Sequence, residues 1–431
     1  MEFSQMAPQE LQALYEVLTK KYQQFKAQGL RLNMSRGKPS GEQLDLCRCV
    51  NQTLTDFICE NGEDVRNYSS LAGIPEARRL FSEIFGVAET QVLAAGSSSL
   101  NLMYDTVCRA FVHGVLPGSG PWHQQGKIKF LCPVPGYDRH FAITESFGIE
   151  MITVPMLDDG PDMERVEELA AKDDLIKGIW CVPIYSNPDG ITYSDQVVRR
   201  IAAMPAAAQD FRVFWDMAYC VHHLDRHDRD YLLNIYDECV KCGHQDRPYL
   251  FASTSKVTMA GSGISAMAMS PANFAWTLEQ LSVQTICHDN VNQLRHLRLL
   301  PNLAAVEDIM DKHAVLLRPK FQVVLDALEN EISPYGIGHW HKPKGGYFIS
   351  VFTENGCAKR VVSLCHEAGV ELTPAGATYP YGNDPADSNI RLAPTYASLA
   401  DLAAAMELFC LAIKLAAIEK ILGLETSPDV L

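Results

Sequence analysis

Lys256 sits in the stretch "YLFASTSKVTMAGSGISAMA", among hydroxyls, alanines and glycines, with apolar residues on either side. An amine in such company either snorkels to water on its apolar stem or is held half-buried for use. Partial desolvation lowers an amine's pKa and makes it a nucleophile or base near neutral pH. Its immediate neighbours do not choose between the two. Further polar residues fall just past short apolar runs that read as strands: Gly96-Ser97-Ser98-Ser99, Tyr137, Asn187, Asp216 with Tyr219, and Ser253 to Lys256. The set holds an amine, a carboxylate, phenols, an amide and a hydroxyl-rich turn that opens a helix. Taken singly, each has a plain reading: "GSSSLNL" is a helix cap as readily as an anion cradle, and Asp216 is a turn residue. Together they match one chemistry. Pyridoxal phosphate asks for a lysine that condenses with its aldehyde, an acid on its pyridine nitrogen and a cradle for its phosphate. A carboxylate raises the pKa of that nitrogen, and the protonated ring then accepts electrons from a developing carbanion.

The elements around these residues explain why they fall together. From about residue 91 short apolar runs alternate with helical patterns: "TQVLAAG", "KIKFLCPVPG", "IEMITVPM", "IKGIWCVPIYSNP", "FRVFWDMAYC" and "RPYLFAST" read as strands. Such alternation predicts an α/β fold with a mostly parallel sheet sandwiched by helices, whose ligands sit at the carboxyl ends of the strands. Before it, residues 8 to 28 form a helix ending at Gly29, "RGKPSGEQ" is a loop, and a helix follows from Leu44. Pro75 opens a further helix and Gly86 closes it. A long amphipathic helix around residues 300 to 330 leads into "GGYFISVF", "GVELTPAG" and "NIRLAP", short strands of a smaller α/β domain. The expected division is an N-terminal segment 1–50 joining the small domain, a large domain 51–300, and a small domain 301–431.

With the motifs in place, the chain resembles the fold-type I pyridoxal-phosphate enzymes of the class I aminotransferase group. "IYSNPDG", "WDMAY" and "STSK" carry the likeness, in that order and spacing. It is most similar to a bacterial branch of aspartate aminotransferases, sharing "RGKPS", "SSLNLMYD", "VPGYDRHF", "SKVTMAGSG" and "NIRLAPTY", from about Arg36 to Pro394. The resemblance implies that Lys256 binds the cofactor and shuttles a proton, and that Asp216 partners the pyridinium. It implies that Tyr219 and Asn187 hydrogen-bond the cofactor's phenolic oxygen, with Asn187 also close to substrate, and that Tyr137 stacks on the ring. Ser97, Ser98, Ser99 and Ser253 match phosphate contacts. Tyr68 matches a tyrosine that reaches the neighbouring subunit's phosphate, which implies a homodimer with shared active sites. Arg391 matches the arginine that holds the substrate's α-carboxylate, and Gly37 the small residue in the loop over the substrate. The implied reaction is transamination between an amino acid and a 2-oxo acid, aspartate and 2-oxoglutarate by preference.

Arg391 also has a reading of its own. It ends a predicted strand, where an unpaired guanidinium is costly to bury. Its planar fork suits a carboxylate, either a ligand's or that of an internal ion pair. Two departures from the family pattern stand out. No cation follows the lysine in "VTMAGSGIS", which leaves Arg36 and Lys38 as candidates for the phosphate's counter-charge. In "QTICHDNVNQLRH" a cysteine (Cys287) and Asn290 stand where the branch has a glycine and a lysine. His288, Arg295 and His296 remain as cations for a side-chain carboxylate.

Composition narrows the classes. With 37 basic and 52 acidic residues the formal charge is −15, which repels nucleic-acid backbones. Thirteen cysteines lack framework spacing, and the N-terminus is unlike a signal peptide, so a cytoplasmic protein is expected. Charges interrupt the apolar C-terminal run, which reads as an amphipathic helix and not a membrane span. Cys239 and Cys242 have C-x-x-C spacing without a second pair, and His222, His223 and His227 read as a solvated turn, so no metal is expected. Three rivals remain. A pyridoxal enzyme of another specificity or a β-lyase shares the same residues. A non-catalytic binding or regulatory protein shares the fold. A dinucleotide enzyme would use "GSGISA" (261–266) with Glu279.

Overall fold

The apolar runs between residues 92 and 268 pair into one eight-stranded sheet in the computed structural model, which describes residues 2–424. Its order is Val92–Ala94, Ser265–Ala268, Pro248–Ser253, Arg212–Asp216, Ile176–Cys181, Lys129–Val134, Glu150–Leu157 and Gly160–Pro161. The five strands from Pro248–Ser253 across to Glu150–Leu157 are mutually parallel. Ser265–Ala268 runs against both its neighbours, and short Gly160–Pro161 against Glu150–Leu157.

Side-chain alternation splits each parallel strand between two cores. Phe130, Cys132, Trp180, Phe214 and Phe251 face one side, with Met103 and Val107 of the helix Ser99–His113. Leu131, Ile179, Val213, Trp215 and Leu250 face the other, against the helices Pro75–Phe85, Met163–Lys172, Asp195–Ala203 and Asn290–Leu299. With both faces covered, Ile176–Cys181 and Arg212–Asp216 are buried along their whole length, as parallel strands require.

A third core joins the two ends of the chain. Leu11, Tyr22 and Phe25 of the helix Pro8–Ala27 pack with the helices Ala358–Glu367 and Leu399–Leu422 and an antiparallel sheet of Gly338–Trp340, Ile349–Thr353 and Asn389–Leu392. Leu32–Asn33 pairs in parallel with Val370–Glu371. The 29-residue helix Leu303–Glu331 serves both halves of the molecule. Val306, Ile309 and Met310 belong to a core of the large sheet, while Leu317, Phe321, Val324 and Leu328 belong to the third core.

Three elements differ from the sequence expectation. The helix expected from Leu44 starts earlier and is short: Ser40 caps Gly41–Asp45 through Gln43 N–H at 3.4 Å. Leu399–Leu422 is buried on nearly every side instead of amphipathic, because Pro8–Ala27, Leu303–Glu331 and Ala358–Glu367 all pack against it. Its inward charges are paired, Lys414 with Glu331 at 2.5 Å and Glu419 with Arg360 at 2.8 Å. Ser265–Ala268 is a strand that the glycines before it conceal.

A buried ion pair lies at the amino ends of two central strands. Asp210 accepts from Lys177 Nζ at 2.8 Å, Trp122 Nε1 at 2.9 Å and Gln125 Nε2 at 3.0 Å. Removing the acid leaves a buried ammonium alone, so Asp210→Ala is expected to lower stability by ~3–5 kcal/mol. A thermal or denaturant midpoint unchanged from wild type would show that the pair contributes nothing.

Candidate functional site

The carboxyl ends of the parallel strands open into a chamber of 190 Å³. It is lined by Ser97, Ser98, Ser99, Tyr137, Asn187, Asp216, Tyr219, Ser253, Ser255 and Lys256. A wider cleft of 890 Å³ shares Tyr137, Asn187, Tyr219 and Lys256 and adds Arg36, Gly37, Lys38, Asp138, Arg139, Phe348, Glu371 and Arg391. Eleven of the twelve residues singled out from sequence line the chamber or this cleft: nine on strand ends and loops of the large sheet, and two, Arg391 and Gly37, from the third core's side.

Lys256 follows the strand Pro248–Ser253, with its Nζ 4.9 Å from the centre of the Tyr219 ring. Burial lowers its pKa from the ordinary lysine value, and the Asp216 charge opposes that shift. Lys256 lines the inner chamber, so the stem does not snorkel to the outer surface. Asp216 is the last residue of its strand. Its Oδ1 accepts from Ala218 N–H at 3.1 Å, and its Oδ2 lies 3.1 Å from His140 Nε2. His140 in turn stacks on Trp180 with ring centres 4.4 Å apart. Sequence reasoning missed His140; its spacing of three from Tyr137, one helical turn on, was the available signal. Burial, with the Asp216 and Asp138 charges, pushes the Tyr137 phenol up to about 12.

Asn187 is presented by a held loop. Tyr185, with φ +48°, occupies the left-handed region, and its hydroxyl is 2.7 Å from His223 Nδ1. A Cβ on Gly345 would meet the Tyr185 ring at 2.3 Å, so the glycine pair Gly345-Gly346 lets the third core's loop press on this segment. Gly37 is under a similar demand: a Cβ there would meet Phe348 Cζ at 2.3 Å. Arg391 lies on the strand Asn389–Leu392, its guanidinium 4.9 Å from the Phe348 ring centre. Nη1 donates to Asn187 Oδ1 at 3.1 Å and to Asp138 Oδ1 at 2.8 Å. Both readings of this arginine thus meet, since it faces the cleft and is also ion-paired.

Ser98 occupies the cap position of Ser99–His113, but its side chain caps nothing. The plain capping reading therefore fails, and three serine hydroxyls line the chamber beside the first turn of the helix, whose N–H groups favour negative charge. Ser255 Oγ donates to Ser97 O at 2.7 Å and ties the lysine loop to this turn. Among the described residues Lys256 is the one cation lining the chamber; Arg36 and Lys38 stand in the outer cleft.

Other candidates lie elsewhere. Tyr68 is 73% exposed and outside its own chain's chamber. Arg295 is held by Asn292 at 2.8 Å, Asn51 at 2.9 Å and Ser262, and buried His296 by Asn292 O and Thr258. Neither faces the cleft. His288 is half-buried on the far side of that segment, near Asp105 and Arg109. The expected solvated turn is wrong for His222, which is buried beside Tyr347 and kept neutral by burial. No group of three His, Cys, Asp or Glu among the described residues could hold a metal, and no described helix is long and apolar enough to cross a membrane. "GSGISA" runs into the strand Ser265–Ala268 instead of opening a helix, which removes the dinucleotide reading.

Fold and site together define an α/β enzyme that works with a desolvated lysine at the end of a parallel sheet. A family model described as aspartate amino-transferase matches residues 6–425. The aspartate aminotransferase of Corynebacterium glutamicum is 42% identical, with 94% of each chain covered. A solved structure of an aspartate transaminase from that organism superposes with a TM-score of 0.94 at 41% identity, covering 97% of this chain and 99% of the other. The α-aminoadipate aminotransferase LysN of Thermus thermophilus, solved with N-(5'-phosphopyridoxyl)-L-leucine, shares the fold at a TM-score of 0.72 and 20% identity, covering 91% and 93%. The chain belongs to the aspartate aminotransferase family and is an aminotransferase.

The lowered pKa of Lys256 has a signed consequence. Between the lowered value and the ordinary ~10.4, the unfolded chain binds more protons than the folded one. The contribution of Lys256 to the stability of the cofactor-free protein therefore rises with pH across that window. Lys256→Met is expected to remove this rise in denaturant titrations at stepped pH. An identical slope in both proteins would show that the amine is fully hydrated.

Proposed function

We propose that the chain transfers an amino group between an amino acid and a 2-oxo acid with pyridoxal 5'-phosphate as cofactor, and that aspartate and 2-oxoglutarate are its preferred pair. One observation carries the dicarboxylate preference. Besides the amine itself, the cleft has four cations among its walls (Arg36, Lys38, Arg139, Arg391) against two acids (Asp138, Glu371), in a chain of net charge −15. Such a local reversal of sign draws dianions into the site. The relatives named for aspartate support the same choice.

The donor set fits the cofactor: an amine, an acid and a hydroxyl-rich helix start share one chamber. When bound, pyridoxal phosphate supplies an aldehyde carbon for amines and a protonated ring that takes up electrons. Lys256 Nζ would hold the aldehyde and, as a free amine, could accept the substrate's α-proton and return it; its desolvation keeps it neutral enough to do so. Asp216 keeps the ring nitrogen protonated, with His140 fixing the carboxylate's orientation. Tyr219 and Asn187 hydrogen-bond the phenolic oxygen, and Tyr137 covers the ring. Ser97, Ser98, Ser99 and Ser253 hold the phosphate, helped by the helix dipole. Arg391 holds the α-carboxylate under the Gly37 loop. Tyr68, exposed on one chain, is assigned to the phosphate of a second copy, so the working unit is a homodimer. Segments 1–50 and 301–431 act as the small domain over the large domain 51–300. The scattered thiols suit a cytoplasmic setting.

The test follows the cofactor's visible spectrum while single amino acids are added. Rapid conversion by aspartate and glutamate alone is the expected result; conversion only by apolar or aromatic amino acids would sink the dicarboxylate assignment. Release of a β-substituent without 2-oxo acid would favour a lyase. Lys256→Ala is expected to lower amino-group exchange by ~10²–10⁴-fold and to remove the visible band of the bound cofactor. Exchange and absorbance left intact would refute the role of the lysine.

A further inference from the structure

The guanidinium of Arg391 already holds a carboxylate of its own chain. Nη1 donates to Asp138 Oδ1 at 2.8 Å and to Asn187 Oδ1 at 3.1 Å. Nε is enclosed and has no acceptor, and the Phe348 ring covers one face. The arginine therefore meets the cleft through its Nη end, where one of the two nitrogens is engaged. A carboxylate gripped end-on by both Nη atoms must share Nη1 with Asp138 or displace it.

The partners differ in freedom. The Arg391 side chain is 8% exposed and that of Asp138 33%. Asp138 is also the first residue of the helix Asp138–Ser146, a position where the helix dipole favours a negative charge whether or not the arginine is engaged. The acid, not the arginine, is the member free to swing. Asn187 is different: its neutral oxygen supports the guanidinium without opposing an incoming anion. Two carboxylates on one guanidinium in a half-dry cleft repel each other more strongly than they would in water.

We propose that Asp138 is a built-in stand-in for the substrate's carboxylate. It keeps Arg391 oriented and charge-balanced between turnovers, and it sets the site's affinity by competing with every carboxylate that binds there. The inference rests on Arg391 as the carboxylate holder. Because the competition is with the shared carboxylate, it acts alike on monocarboxylates and dicarboxylates, as uniform binding does.

Asp138→Asn keeps an oxygen acceptor of the same shape and removes the charge. Spectral titration of the holoenzyme with succinate and with propionate, neither of which can transaminate, measures the anion site directly. Both dissociation constants are expected to fall about three- to tenfold, by a similar factor, as loss of a partly exposed ion-pair competitor predicts. KM for the amino acid should fall with them. Asp138→Ser, which retains a capping hydroxyl at the helix start, gives the same direction if the asparagine variant folds poorly. Unchanged or weakened anion binding in the folded variants would overturn the proposal, since a merely structural acid has no means of tightening a ligand when removed. Arg391→Lys serves as the separate check. If it leaves both anions bound as in wild type, the assignment of Arg391 itself fails, whatever Asp138 does.

Discussion

Desolvation of one amine beside one acid is the constraint on which the site depends. Burial drives Lys256 toward its neutral form, and Asp216 draws it back toward the charged one. An amine left alone in that chamber would be inert toward proton delivery, and one paired tightly would be locked as an ammonium. The sheet resolves the conflict by distance: Asp216 ends one strand and Lys256 lies just past its parallel neighbour, so they face the same chamber without an ion pair between them. The Asp216 oxygens are steadied from behind by Ala218 N–H and His140.

That arrangement needs the two halves of the molecule to close on each other. The large sheet supplies the amine, the acid and the serine turn. Arg391 and Phe348 come from the antiparallel sheet packed on the terminal helices. Contact between the halves is made by backbone at close approach, at Gly345 against Tyr185 and His222 O. Any side chain there would wedge the cleft open. The rigid helix Leu303–Glu331, which belongs to both cores, transmits the placement of one half to the other.

Electrostatics then separates the two levels of the site. The inner chamber has hydroxyls, N–H dipoles and a single cation, while the outer cleft is strongly basic within an acidic chain. Anions are drawn to the rim by charge and sorted inside by geometry. Arg391 stands at the junction, and its ion pair with Asp138 joins the rim's supply of charge to the chamber's need for orientation.

Much of this was legible in the chain itself. Short apolar runs and the helical patterns between them pointed to a covered parallel sheet, and the rule that ligands gather at strand carboxyl ends picked out Lys256, Asp216, Asn187, Tyr137 and the serine turn as one group. What failed in the sequence failed for local reasons. Ser265–Ala268 has four residues, three of them small, and the glycines before it look like a loop. The C-terminal helix carries charges, Lys414 and Glu419, that look solvent-facing until their partners on other helices, Glu331 and Arg360, are in view. His140 and Asp138 stay unremarkable in "GYDRHF" because their partners, Asp216 and Arg391, lie 76 and 253 residues away. Residue types and strand ends, which depend on near neighbours, were settled by the sequence. Which charge meets which was decided by tertiary structure alone, because an ion pair forms between side chains that chain spacing does not bring together.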